Sequence, residues 1–159
     1  MPALYANLLK RPAAVLRELD GTLSEWLQAL GLLVLIILFN AVLTLWFRSG
    51  DFLGELMSAA QSAALFSVVL SISVLVTLRL VSSWSGTWFA AHTASIVIML
   101  PLILGAVPVV GMLAVLASFV LVYRLVRDLS GQGAGRSVLL TVIVWSLIAT
   151  VALIYTRAV

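Results

Sequence analysis

The sequence has no cysteine and very few charged side chains. Its 159 residues include nine Lys or Arg, six Asp or Glu and a single His. Without cysteine, disulfide bonds, thiolate metal sites and cysteine nucleophiles are all excluded. The charged fraction of 9% is far below the roughly 25% that is typical of soluble domains. A soluble globular fold is therefore excluded as well.

The chain consists largely of long apolar runs. Hydrophobic residues make up 64% of the chain, and the mean hydropathy is +1.24. From Leu80 to Tyr123 the chain runs for 44 residues without Asp, Glu, Lys or Arg. A single helix crosses the hydrocarbon core of a bilayer, which is about 30 Å thick, with about 20 residues. This run is therefore long enough for two membrane spans and the hairpin between them.

The whole hydrophobic pattern predicts an all-α integral membrane protein, a bundle of five spans. The predicted spans are 26–47, 56–78, 88–104, 107–126 and 138–155. Residues 1–25 precede them and carry an amphipathic pattern that begins near Pro12, which predicts a short interfacial helix on the cytoplasmic surface. An ordinary amphipathic lead-in without a recognition role remains the alternative for this segment.

The positions of the basic residues predict the orientation. With the N-terminus in the cytoplasm, five spans leave only Arg48 and Arg157 on the outer side. The other seven basic residues then lie inside: Lys10, Arg11, Arg17, Arg79, Arg124, Arg127 and Arg136. This asymmetry predicts a cytoplasmic N-terminus and a non-cytoplasmic C-terminus.

Two lanes of small residues predict a helix contact. The second span carries one lane at helical spacing, and the fourth span carries a matching one. In lipid, small residues allow helix backbones to approach closely, and their hydroxyl groups can bond across the contact. The lanes are Ala60, Ala64, Ser67 and Ser71 in the second span, and Gly111, Ala114 and Ser118 in the fourth. We expect these two helices to touch, and a polar permeation or lipid groove along the second span remains the alternative.

Two prolines mark the hairpin between the third and fourth spans. Pro101 removes a backbone donor and is expected to kink or end the third helix, and Pro108 lies near the start of the fourth. A tight turn packed against other helices is the expected structure. A gating or substrate-binding break, of the kind that transporters use, is the alternative.

Little in the sequence points to catalysis. His92 is the only histidine, with Thr93 and Ser95 close by, and no Asp or Glu falls within the body of any predicted span. An imidazole without an orienting carboxylate is more typical of an interfacial or packing residue than of a general base. We therefore expect no catalytic residue, metal site or cofactor, and the absence of a basic stripe gives no reason to expect nucleic-acid binding.

Three segments resemble the Yip1-domain family of small polytopic membrane proteins. They are the entry NLLKRPAAVLR at 7–17, the hairpin at 101–111, and the short basic loop from YRLVRDLSG at 123–131 through GRS at 135–137. The resemblance implies five spans with a cytoplasmic N-terminus, and the family's eukaryotic members act as membrane scaffolds rather than as enzymes. The Asp-Leu-Tyr-Gly-Pro motif of the eukaryotic members is missing, so the resemblance points to a bacterial inner-membrane member and not to Rab binding.

These observations lead to one main functional hypothesis and two alternatives. The main hypothesis is a non-enzymatic integral membrane protein, surrounded by lipid, that acts as an accessory subunit of a larger complex, as a scaffold or as a homo-oligomer. The first alternative is a small transporter or lipid-handling protein with a groove along the second and third spans. The second is an intramembrane enzyme that depends on His92.

Overall fold

The computed structural model describes residues 21–47, 50–81, 85–107 and 109–158. Every regular element in these ranges is a helix. There are five α-helices and one 3₁₀ helix: α1 Leu23–Phe47, α2 Phe52–Val81, α3 Trp88–Ile98, the 3₁₀ helix Leu100–Leu104, α4 Val110–Ser130 and α5 Ala134–Ala158. The predicted interfacial helix within residues 1–25 lies almost entirely outside the described residues.

Four of the helices are long and apolar enough to cross a membrane. They are α1, α2, most of α4 and most of α5, with stretches of 25, 30, 19 and 21 residues that qualify. Each exceeds the length of about 18 residues expected of a membrane span. The protein is therefore an all-α integral membrane protein.

The third predicted span is shorter than the others. Its α-helical part has 11 residues, and the 3₁₀ helix that follows has 5. At about 1.5 Å and 2 Å per residue, the two together reach about 26 Å, somewhat less than a hydrocarbon core of about 30 Å. The α-helix ends at Ile98 and Pro101 occupies the first turn of the 3₁₀ helix, which agrees with the expected effect of this proline. A fifth crossing at this segment stays a prediction.

Two helices, α1 and α2, begin earlier than the apolar pattern predicts, because each has a polar N-cap. The Thr22 hydroxyl accepts a hydrogen bond from the Glu25 backbone N–H at 3.3 Å, and the Glu25 carboxylate accepts from the backbone N–H of Thr22 at 3.3 Å. This capping box starts α1 at Leu23 rather than Trp26. Similarly, the Asp51 carboxylate accepts from the Gly54 backbone N–H at 2.9 Å, so α2 begins four residues before the predicted start of its span.

The bundle is organised around α2, which contacts each of the other four α-helices. All five α-helices contribute to the core, and its largest fully buried aliphatic side chains come from α2, α3 and α4, including Leu70, Val74, Leu78, Ile96, Ile98, Leu125 and Val126. Residues 90–98 of α3 are all buried, whereas α1, α4 and α5 each expose large apolar side chains on one face. Such faces suit lipid as a solvent, since a bilayer gives them an apolar environment.

The two ends of the bundle differ in charge. The connection between α1 and α2 carries Asp51 and the first turn of α2 carries Glu55, and we call this the acidic end. At the opposite end Arg136 of α5 lies beside Leu80 and Val81 of α2, and the last turns of α2 and α4 add further arginines. We call this second end, with Arg79, Arg124, Arg127 and Arg136, the basic end.

Candidate functional site

The two small-residue lanes each direct a serine towards α3. Ser67 of α2 lies with its hydroxyl oxygen 3.3 Å from the His92 ring, and Ser118 of α4 donates to the Ile98 backbone carbonyl at 3.1 Å. Helices α2 and α4 do contact each other. Ser67, Ser71, Ala114 and Ser118 are buried, Ala60 and Gly111 are half-buried and Ala64 is exposed. A direct contact between the two lanes stays a prediction.

Gly111 lies at the closest backbone approach of the hairpin. A Cβ atom on this residue would overlap the carbonyl oxygen of Gly105. The overlap involves backbone on both sides, so it cannot be relieved by turning a side chain. Val109, two residues before Gly111, has a φ of 66°, which is rare for a β-branched residue. The hairpin after the 3₁₀ helix is thus tightly constrained.

His92 is held in the interior by partners on two other helices. Its side chain is only 6% exposed. The Trp26 indole N–H of α1 donates to His92 Nδ1 at 3.0 Å, and His92 Nε2 lies 3.3 Å from the Ser67 hydroxyl oxygen of α2. We call these three residues the His92 network.

The hydrogen-bond directions in the His92 network follow from its partners. An indole nitrogen can only donate, so Nδ1 must be the accepting, unprotonated nitrogen. The ring proton of neutral His92 is then on Nε2, which donates to Ser67 Oγ. Ser67 in turn donates to the Ala64 backbone carbonyl at 2.9 Å. Both ring nitrogens are therefore committed to contacts between helices.

A cleft opens between α1 and α2 at the acidic end. We call it the α1–α2 cleft; its volume is about 360 Å³, within the range of about 300–1,000 Å³ that is usual for ligand pockets. Its polar lining comes from Asn40, Thr44, Glu55, Ser58 and Ser62, and its apolar lining from Ile36, Ile37, Ala59, Ala63, Phe66, Met99 and Leu102. Met99 and Leu102 come from the region formed by α3 and the 3₁₀ helix that follows it, which we call the third segment.

Two polar groups on the α1 side of the cleft donate hydrogen bonds within the protein, and Asn40 does so with one of its two side-chain N–H groups. The Asn40 side-chain N–H donates to the Leu102 carbonyl at 3.1 Å, and the Thr44 hydroxyl donates to the Asn40 backbone carbonyl at 2.9 Å. The Leu102 carbonyl can only accept, so the amide nitrogen of Asn40 must face it and the side-chain oxygen takes the other position. Asn40 Oδ1 and Thr44 Oγ1 are therefore left as acceptors.

A second groove lies next to the cleft, between α2 and α5. Ser58, Ser62 and Phe66 line both the α1–α2 cleft and this second groove, whose far wall is formed by Ile148, Val151 and Ala152 of α5. Below it, the Phe66 ring lies 5.8 Å from the Trp145 ring, centre to centre. The part of α2 that carries Ser58 and Ser62 thus borders both the cleft and the second groove.

The α1–α2 cleft shares part of its lining with the groove that the sequence offers as an alternative. Ser58 and Ser62 of the second span and Met99 and Leu102 of the third line the cleft, and α1 adds a further wall. A groove that runs along the second and third spans stays a prediction. Asn40 and Thr44 were not singled out by the sequence pattern. The signal available for them is that Asn40 is the one strongly polar residue within the apolar stretch from Gly31 to Phe47.

Comparison with known proteins gives no relative for this chain. No protein-family model, no curated protein and no solved structure matches it. The resemblance to the Yip1-domain family therefore stays a prediction. Within the part of the chain that the structure describes, no group of three His, Cys, Asp or Glu side chains is placed to hold a metal ion.

Proposed function

We propose that the protein is a non-enzymatic integral membrane protein that acts through interactions, as an accessory subunit of a larger membrane complex or as a membrane scaffold. The observation that carries this proposal is the structural role of His92. Its two ring nitrogens hold α1 and α2 against α3, and its side chain is almost fully buried. A general base must reach the proton that it removes, and a histidine used in this way is poorly suited to that task.

The proposal includes the orientation predicted from the sequence. Arg79, Arg124, Arg127 and Arg136 belong to the basic end, which by the positive-inside rule faces the cytoplasm. The acidic end, with Asp51, Glu55 and the α1–α2 cleft, then faces the outer side. Five spans, a bacterial inner-membrane location and membership of the Yip1-domain family belong to the same proposal.

Extraction from native membranes tests the interaction role. The protein is extracted in a mild nonionic detergent, the mass of its complex is measured, and co-purifying proteins are identified. We expect a defined complex larger than the monomer. A strictly monomeric protein that recovers no partner would contradict the proposal. Substitution of Ala64, the exposed member of the α2 lane, by Leu then asks whether this lane contributes to the complex, with exposed Ile72 changed to Leu as the matched control.

Lipid or solute handling is the second candidate, and the α1–α2 cleft favours it. A cleft that joins polar groups at one end of a bundle to apolar side chains deeper in it can hold an amphiphile. Purified protein in liposomes should then accelerate movement of lipid or small solutes across the bilayer. Rates equal to those of protein-free liposomes, for ions, solutes and lipids alike, would count against this candidate.

A further inference from the structure

We propose that the α1–α2 cleft is a binding site for a primary alkylammonium group, with the ammonium between Glu55, Asn40 and Thr44 and the alkyl chain along the apolar lining. This proposal concerns binding alone and needs neither transport nor a protein partner. It can therefore succeed or fail independently of the proposed function.

The sign of the charge in the cleft favours a cation. Among the described residues that line the cleft, Glu55 is the charged one, and none of them is Lys, Arg or His. A carboxylate at the edge of an apolar bundle is costly unless a cation or hydrogen-bond donors face it. A cationic ligand supplies both, whereas an anionic ligand would be repelled.

The hydrogen-bond directions select an ammonium with N–H groups. One N–H of Asn40 and the O–H of Thr44 are bonded to the Leu102 and Asn40 carbonyls, so Asn40 Oδ1 and Thr44 Oγ1 are left as acceptors among the residues that line the cleft. Together with the Glu55 carboxylate, this makes a set of acceptors on two helices. A primary ammonium has three N–H donors and no acceptor, and it complements such a set. A quaternary ammonium carries the same charge but has no N–H to donate.

The apolar lining selects an alkyl substituent. Ile36, Phe66, Met99 and Leu102 belong to the same cleft as the polar groups. An alkyl chain attached to the ammonium would cover these side chains and gain from the removal of apolar surface. Amines of this kind exist free in solution and as the headgroup of phosphatidylethanolamine, and both present the same primary ammonium.

The test is equilibrium binding of octylammonium to the full-length protein in nonionic detergent micelles, measured by calorimetry at neutral pH. Octyltrimethylammonium, octanol and octanoate serve as comparison ligands, with micelles without protein as the baseline. We expect octylammonium to bind at least about tenfold more tightly than the three others, since a hydrogen bond to a charged group is worth a factor of this size. Equal binding of octylammonium and octyltrimethylammonium would overturn the proposal.

Two substitutions at the acidic end separate a specific site from general electrostatics. Glu55→Gln removes the carboxylate in the cleft, whereas Asp51→Asn removes an equal charge from the same end but outside the cleft lining. Asn caps a helix as well as Asp does, so α2 should keep its start. We expect Glu55→Gln to weaken octylammonium binding about tenfold or more and Asp51→Asn to weaken it less than about twofold. Equal effects of the two substitutions would overturn the site.

A third substitution keeps the proposal testable if Glu55→Gln fails to fold. Thr44→Val preserves the shape of the side chain and removes the acceptor oxygen, so we expect about threefold weaker binding of octylammonium and no change for octanol. Unchanged octylammonium binding in a folded Thr44→Val protein would contradict the assigned acceptors. Circular dichroism checks the helical content of each variant.

Lipid competition identifies the source of the amine. The same titration is repeated in nanodiscs of phosphatidylcholine, with and without phosphatidylethanolamine. Weaker octylammonium binding only when phosphatidylethanolamine is present supports the site and assigns a lipid headgroup. Equal binding in the two nanodiscs supports the site and assigns a free alkylamine. Loss of binding in pure phosphatidylcholine, whose headgroup has no N–H, would overturn the proposal.

Discussion

The His92 network and the α1–α2 cleft both place polar side chains on apolar helices, yet they differ in what their hydrogen bonds do. In the network, the Trp26 donor meets His92 Nδ1 and the ring proton meets Ser67. In the cleft, one N–H of Asn40 and the O–H of Thr44 are bonded to protein carbonyls, while the side-chain oxygen of Asn40 and the hydroxyl oxygen of Thr44 remain as acceptors. One region is closed by protein and the other is open to a ligand.

The difference comes from the third segment. Where α3 lies against α1 and α2, it brings His92 between them and closes the contact. Towards the acidic end α3 gives way to the 3₁₀ helix that contains Pro101, and Met99 and Leu102 are its described neighbours that line the space between α1 and α2. A proline that shortens one helix thus leaves a cleft between its two neighbours.

The largest expected effect in the closed region comes from His92→Leu. This substitution keeps a side chain of similar size but leaves the partly buried Trp26 indole N–H without its acceptor. We expect the free energy of unfolding to fall by about 2–4 kcal/mol, measured by circular dichroism during denaturation in mixed micelles. A loss below about 0.5 kcal/mol would mean that the network does not hold the three helices together.

The next largest expected effect is a loss of stability from a substitution in the hairpin between the 3₁₀ helix and α4. Gly111→Ala places a Cβ against the Gly105 carbonyl, whereas Gly135→Ala meets no atom within 4 Å and serves as the matched control. We expect Gly111→Ala to cost about 1–3 kcal/mol of stability. Gly135→Ala should be neutral or stabilising, by up to about 1 kcal/mol, since alanine favours helix. Equal behaviour of the two variants in the same denaturation assay would show that the hairpin can open without cost.

A matched pair of serines on α2 compares the two regions directly. Ser67 is buried in the His92 network, and Ser62 is exposed in the cleft. We expect Ser67→Ala to lower the free energy of unfolding by about 1 kcal/mol, because the His92 N–H loses its acceptor. Ser62→Ala should change it by less than about 0.5 kcal/mol. The reverse order, in the same assay, would contradict the distinction between a closed and an open region.

The smallest effect is expected for Trp26→Phe, which removes the indole N–H and keeps an aromatic ring near Phe89. We expect a loss of about 0.6 kcal/mol, the usual size of a side-chain hydrogen bond between membrane helices. Combining this change with His92→Leu gives a double-mutant cycle. The two effects should be less than additive because they remove the same bond, and full additivity would separate Trp26 from the network.

The sequence by itself determined the class of the protein and most of its helices. Hydropathy alone found α1, α2, α4 and α5, because in a bilayer each backbone must satisfy its own hydrogen bonds and each span must be apolar along its length. Pro101 also marked the end of α3, since a proline lacks the N–H that a continuing α-helix needs. The helix starts at Leu23 and Phe52 were missed, because polar caps extend helices beyond the apolar core of a span.

Only the tertiary structure decided what the polar residues do. The sequence places Ser67, His92 and Asn40 on their helices, but it does not state which helices meet. His92 became a structural residue because Trp26 and Ser67 approach it from α1 and α2, 66 and 25 residues away. Asn40 became part of a cleft because the third segment turns into a 3₁₀ helix beside it. Helix neighbours in a membrane are chosen by close packing and hydrogen bonds rather than by hydrophobicity, so an apolar pattern shared by every span cannot specify them.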